Sequence, residues 1–250
     1  MTGATGVVPE AGRGPRNARR RFVVAAVAVF VASCLLLLAV PRTLAAWWSM
    51  DGYDVYLALA AGKALPDAAL DQAIAGLERA VTWVPSGPRY YMLAGAEAEQ
   101  YRRAPAGDPN RSRWLARAEE HAELALAATP TDGRAALMLA TLRLWRGVTA
   151  REIAVPLLQS MDTNPNMREL WLWRASLLLV VWQALTPEEV QAVDSQLRTI
   201  WKFAPAMRRP LVDAARASGR LPSLVHALAG EPGAAAELDQ LQSTVPATKP

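Results

Sequence analysis

The stretch Asp71–Pro85, DQAIAGLERAVTWVP, decides how the chain is read. Ala73, Leu77 and Ala80 share one face at the spacing of an amphipathic helix, and Pro85 closes the unit because it cannot extend one. The same cadence returns at Ala118, Ala122, Ala125 and Pro130, and again at Val193, Leu197, Ile200 and Pro205. Between them lies a copy at Ile153, Leu157, Ser160 and Pro165, with Ser160 its weak, polar member. The closing prolines stand 35–45 residues apart. Copies in phase at that interval imply a helical repeat array, in which each helix pair is too small to cover its own apolar face and stacks on its neighbours. No run sustains two-residue alternation, so the expected fold class is all-α.

Outward from this stretch, the chain stays helical. Tyr53–Lys63 is apolar on one side and is expected to pair antiparallel with the 71–84 helix. Arg89–Arg102 and Arg113–Ala128 follow, the second capped at Ser112, and Asp132–Trp145 ends at Gly147, a good residue just past a helix. Thr149 with Glu152 fits a capping box; the helix it starts contains Pro156, in its first turns or at a kink. Arg168–Ala184 precedes Thr186-Pro187-Glu188-Glu189, which has Thr as cap, Pro at the first helical position and carboxylates at the positive dipole end. Pro210–Ser218 and Ser223–Ala229 form a shorter last pair. Residues 230–250 read as a flexible tail with at most a turn or two of helix.

The N-terminal part has a different character. Residues 1–21 carry Arg13, Arg16, Arg19, Arg20 and Arg21 against Glu10 alone, a basic, disordered tail. Without them, the 27 basic and 23 acidic side chains reduce to 22 of each, so the rest of the chain is neutral and lacks the electrostatic footprint of a nucleic-acid binder. Residues 22–40, FVVAAVAVFVASCLLLLAV, hold no charge and would span roughly 28 Å as a helix, close to the ~30 Å of bilayer hydrocarbon. The preceding arginines place the N-terminus in the cytoplasm and all that follows Pro41 outside, with Trp47 and Trp48 at an interfacial belt. Two other readings share this topology: a signal peptide cut after Ala45, and a lipoprotein lipidated at Cys34. The length of the apolar run favours a retained anchor over the first, and the LLLLAV that follows Cys34 counts against the second. Cys34 is the one cysteine, so an intrachain disulfide is impossible.

The phased motif resembles the tetratricopeptide repeat, a helix–turn–helix unit whose second helix carries small and apolar residues and a closing Pro at these offsets. Counting from Pro85 puts Tyr91 at the bulky position of a first helix and Gly95 at the small one; Leu139, Ala140 and Gly147 follow Pro130, and Trp171 and Ala175 follow Pro165. The resemblance spans about residues 51–205 and implies an α-solenoid of four to five helix pairs within 51–229. Small residues such as Gly95, Ala118 and Ala140 would let backbones approach. Arg143 and Arg174 depart from it, standing where the family prefers apolar side chains.

Chemistry is hard to find. His121 and His226 lie far apart; His121 belongs to the run AEEHAE, which reads as a solvated helix face, and no phosphate loop, nucleophile elbow or HExxH occurs. The protein reads as non-enzymatic and without a cofactor or metal. Trp83, Trp114 and Trp201 read as inter-helix packing, and Leu170–Leu185 as a buried central helix or a docking stripe. In arrays of the family the first helices line a concave groove. Carried over, that groove would present Arg89, Met92, Ala96 and Glu99, then Arg134, Leu137, Thr141 and Trp145, then Glu169, Leu172, Trp173 and Ser176. The expected function is a scaffold in a bacterial envelope, anchored in the inner membrane with its repeats in the periplasm and holding a peptide or helix of another envelope protein. The alternative is an accessory protein of exopolysaccharide synthesis or export, with Trp145, Trp171 or Trp173 stacked on sugar rings.

Overall fold

A computed structural model describes residues 15–243; residues 1–14, most of the expected basic tail, and 244–250 lie outside the described residues. Among the described residues every regular element is helical. In chain order these are α1 (Pro15–Trp48), α2 (Met50–Ala60), α3 (Asp67–Trp83), α4 (Gly87–Arg103), α5 (Arg111–Ala128) and α6 (Gly133–Arg146). Then come α7 (Ala150–Thr163), α8 (Arg168–Val181), α9 (Pro187–Phe203), α10 (Arg208–Ala217), α11 (Leu221–Leu228) and α12 (Ala234–Ser243), with short 3-10 turns after α8 and α9. Successive helices pack on one another from α2 to α9 and again from α10 to α12, α11 lies on α9, and α2, α4, α6, α8 and α10 also touch in turn, an arrangement typical of helical repeats.

The motif that opened the reading forms the spine of this stack. Ala73, Leu77 and Ala80 on α3, Ala118, Ala122 and Ala125 on α5, Ile153, Leu157 and Ser160 on α7, and Val193, Leu197 and Ile200 on α9 are all buried. Helix ends follow local rules. Thr149 and Thr186 make full capping boxes with Glu152 and Glu189, and Gly147 takes the left-handed conformation, φ 74°, that ends α6. Ser112 is not a cap; α5 begins two residues earlier, with Asn110 in the cap position. Leu170–Leu185 supplies the buried central helix, with Leu177, Leu178, Leu179 and Val181 in the core and only Val180 and Gln183 of that run exposed.

Residues that depart from the repeat pattern turn out to satisfy one another. Pro156 sits in the interior of α7 and cannot bond the carbonyl of Glu152; Arg143 Nη1 donates to that oxygen at 3.1 Å, and its other donors reach Glu119 and Glu123. Arg174 is fully buried; its Nε and Nη2 donate to Ser160 Oγ at 3.2 and 3.0 Å, and Nη2 also to the Asn164 carbonyl at 3.3 Å. Ser160 Oγ in turn donates to the Gly133 carbonyl at 2.7 Å. The weak member of the third motif is therefore the seat of a buried guanidinium on α8. Burial lowers the Arg174 pKa to about 10.

The AEEHAE run is not simply a solvated face. Glu119 is buried against Arg143 and Arg146, and His121 Nδ1 lies 2.6 Å from the fully buried Glu97 of α4, which Arg117 also approaches at 2.8 Å. Only Glu120 and Glu123 of its acidic residues are exposed. The helix spacing repeats on both sides of α5, so a charged stripe between two helices has the same pattern as one in water. Of the three tryptophans expected in packing, Trp201 is buried and Trp114 partly so, whereas Trp83 is 49% exposed.

Both ends of the stack differ from expectation. α1 starts within the expected tail, so residues 15–21 are helical, and Arg20–Trp48 is long and apolar enough to cross a bilayer. Its last turns pack on α3. Ala45 is fully buried, Arg79 lies over the Trp48 ring at 4.7 Å, and a Cβ on Gly76 would stand 2.5 Å from the Trp48 carbonyl. Helical hydrogen bonding carries through the junction: Ser49 N–H donates to the Ala45 carbonyl at 3.1 Å and Tyr53 N–H to the Ser49 carbonyl at 3.0 Å. At the other end α12 occupies part of the expected flexible tail. It buries Ala234 and Leu238, and Arg208 Nη1 reaches both carboxylate oxygens of Glu237, at 3.0 and 2.8 Å.

Candidate binding groove

Helices α2, α4, α6 and α8 line one open groove with a volume of about 560 Å³. α2 contributes Tyr56, Leu59 and Ala60; α4 contributes Tyr91, Gly95, Ala98, Glu99 and Arg102; α6 contributes Met138, Thr141 and Trp145; α8 contributes Glu169, Leu170 and Trp173. The wall is largely apolar and aromatic with a few charges, the composition of a peptide- or ligand-binding concavity.

The groove is held by its own packing. Tyr56 meets Tyr91 edge-on at 5.9 Å, and Trp145 stacks on Tyr101 at 5.5 Å. Burial pushes the Tyr91 phenol up to about 12, so it is neutral at physiological pH. Thr141, which lines the groove, turns its hydroxyl back to the Leu137 carbonyl at 2.9 Å. Glu99 is bound by Arg102 at 2.5 Å and Arg103 at 2.8 Å. Gly95 leaves room: the nearest atom to a Cβ built there is Met138 Cε at 3.9 Å. It is thus a floor position of the groove and not the point of close backbone approach expected of it. Close approach occurs instead at Gly76 and at Gly52, where a Cβ would stand 2.5 Å from Leu77 Cγ.

Of the residues expected in the groove, Glu99, Thr141, Trp145, Glu169 and Trp173 line it. The others do not. Leu137 and Ala96 are buried in the core, and Met92 and Leu172 pack against core clusters. Arg89 braces the turn before α4, donating to the Val84 carbonyl at 2.9 Å. Arg134 is folded back on Asp132 at 3.1 Å and over the Tyr91 ring at 5.5 Å. Ser176 donates to the Leu172 carbonyl at 2.8 Å. The carried-over register fails on the N-terminal halves of α4 and α6, where the groove face runs through Tyr91 and Met138. Tyr91 was expected in the packing because it is bulky; it is both packed and groove-facing. Tyr56, Leu59 and Ala60 had a visible signal, an apolar spacing on α2 that its contact with α3 does not use up.

Trp171 cannot stack on a sugar: it is buried, with its indole N–H donating to the Pro165 carbonyl at 2.8 Å. Among the described residues no cluster of three or more His, Cys, Asp or Glu side chains is placed to hold a metal ion. In comparison with known proteins, no protein-family model matches the chain and no curated protein matches it in sequence.

Proposed function

We propose that the chain is a tetratricopeptide-like scaffold, held in a bacterial inner membrane by α1, whose groove binds a peptide or helix of another envelope protein. The observation that carries this reading is the groove itself, assembled from the equivalent helix of four successive pairs. The full burial of Ala45 at the end of α1 supports a retained anchor, because a cut after Ala45 would remove that buried side chain. The arginines before the span support a cytoplasmic N-terminus and a periplasmic repeat domain. The aromatic lining favours one second reading, contact with an envelope glycan, for which Trp145 and Trp173 remain as stacking surfaces.

Gly95→Trp tests the scaffold reading, since Gly95 lines the groove and a Cβ built there meets nothing closer than Met138 Cε at 3.9 Å. The variant is expected to keep its helical circular dichroism and melting temperature near those of the wild type. It should fail to co-purify the partner that the wild-type chain retains from crosslinked cells. Equal recovery of that partner by the folded variant would overturn the reading.

A further inference from the structure

We infer that the groove takes a segment carrying a basic side chain, with its Lys or Arg head over the Trp173 ring and beside the Glu169 carboxylate. The inference rests on the groove reading above and names the chemistry of the partner. Glu169 and Trp173 are four residues apart on α8, hence on one helical face, and both line the groove. The other groove carboxylate, Glu99, already has two arginines. Glu169 is exposed and has no hydrogen bond or ion pair among the described residues.

The rings point the same way. Several aromatic side chains are covered by cations of the chain itself, Arg79 over Trp48, Arg111 over Tyr101, Arg134 over Tyr91, Arg168 over Trp171 and Arg208 over Trp201, so the chain already uses this contact. Trp173 has no such cation and no ring partner among the described residues, yet it stands beside an unpaired carboxylate. A cation over an indole is attracted by the ring quadrupole, and a neighbouring carboxylate adds to that attraction in a partly desolvated groove. An acidic segment would meet Glu169 unpaired and be repelled, and a neutral one would leave it without a partner.

Selection of a random peptide library on the full-length protein in detergent, for wild type, Glu169→Gln, Trp173→Leu and Gly95→Trp, tests this. Wild type is expected to retain peptides with a recurrent Lys or Arg among apolar residues. Replacing that Lys by norleucine should weaken binding about tenfold, and Glu169→Gln should reduce the preference for Lys over norleucine several-fold. Retained peptides with no basic preference, or a preference that survives both α8 substitutions, would overturn the inference while Gly95→Trp still abolished binding and left the groove reading intact. If retention is indifferent to Gly95→Trp, or if saccharides alone quench the indole fluorescence and no peptide is retained, both readings fall.

Discussion

Replacing Ser160 by Ala is expected to lower stability by about 2–4 kcal/mol, a large loss for a single hydroxyl. The hydroxyl joins three elements: it donates to the Gly133 carbonyl at the start of α6 and accepts from two nitrogens of Arg174 on α8. Without it, a fully buried guanidinium that has no carboxylate beside it among the described residues loses its main acceptor, and the cost is the desolvation of the groups left unpaired. Arg174→Met should act in the opposite direction, raising stability by about 1–3 kcal/mol, because an apolar side chain of similar length removes a buried charge that is only partly compensated. The pH dependence has a definite sign. Burial lowers the Arg174 pKa from its usual guanidinium range to about 10, so keeping its proton costs the folded state at neutral pH. That cost shrinks as pH rises through about 10 toward the usual guanidinium range, and Arg174→Met should abolish this part of the pH dependence. Denaturant unfolding followed by circular dichroism measures both variants. A Ser160→Ala protein as stable as wild type, or an Arg174→Met protein much weaker than it, would show that the cluster has been misread.

The second large effect is expected at the junction between α1 and α3. Gly76→Val should destabilise the first helix pair by about 1–3 kcal/mol and lift the end of α1 away from it. The obstacle at Gly76 is the Trp48 backbone carbonyl, 2.5 Å from where a Cβ would sit, which cannot swing aside as a side chain can. Gly95→Ala is the control, with its nearest neighbour at 3.9 Å. Limited proteolysis near Trp48 reports the outcome: rapid cutting is expected in Gly76→Val and slow cutting in wild type and Gly95→Ala. Equal protection in all three would mean that α1 is an independent tether and that the groove is not held at a fixed place relative to the bilayer.

How much of this was legible in the sequence depends on what kind of interaction each residue makes. The closing motif could be read because burial on α3, α5, α7 and α9 repeats with the helical period, and Pro85, Pro130, Pro165 and Pro205 mark the phase. Capping boxes at Thr149 and Thr186 could be read because they are local. Arg174 and Ser160 could not be matched, because their partnership crosses between helices and each looks like a fault in its own motif. Glu97, Glu119 and His121 were hidden for a related reason, since a polar stripe between helices and one in water have the same spacing. In the groove, Glu99, Trp145 and Trp173 were placed and Met92 and Leu137 were not. Which residues of a first helix face inward depends on how neighbouring pairs twist against one another, and no single helix encodes that angle.

Photo-crosslinking in intact cells tests the central claim most directly, with a photoreactive residue at Met138 in the groove and, as a control, at the exposed Glu120 of α5. The account predicts a discrete protein adduct from Met138, absent from Glu120 and lost when Gly95→Trp fills the groove. No protein adduct from Met138, or one that persists unchanged with Gly95→Trp, would contradict it.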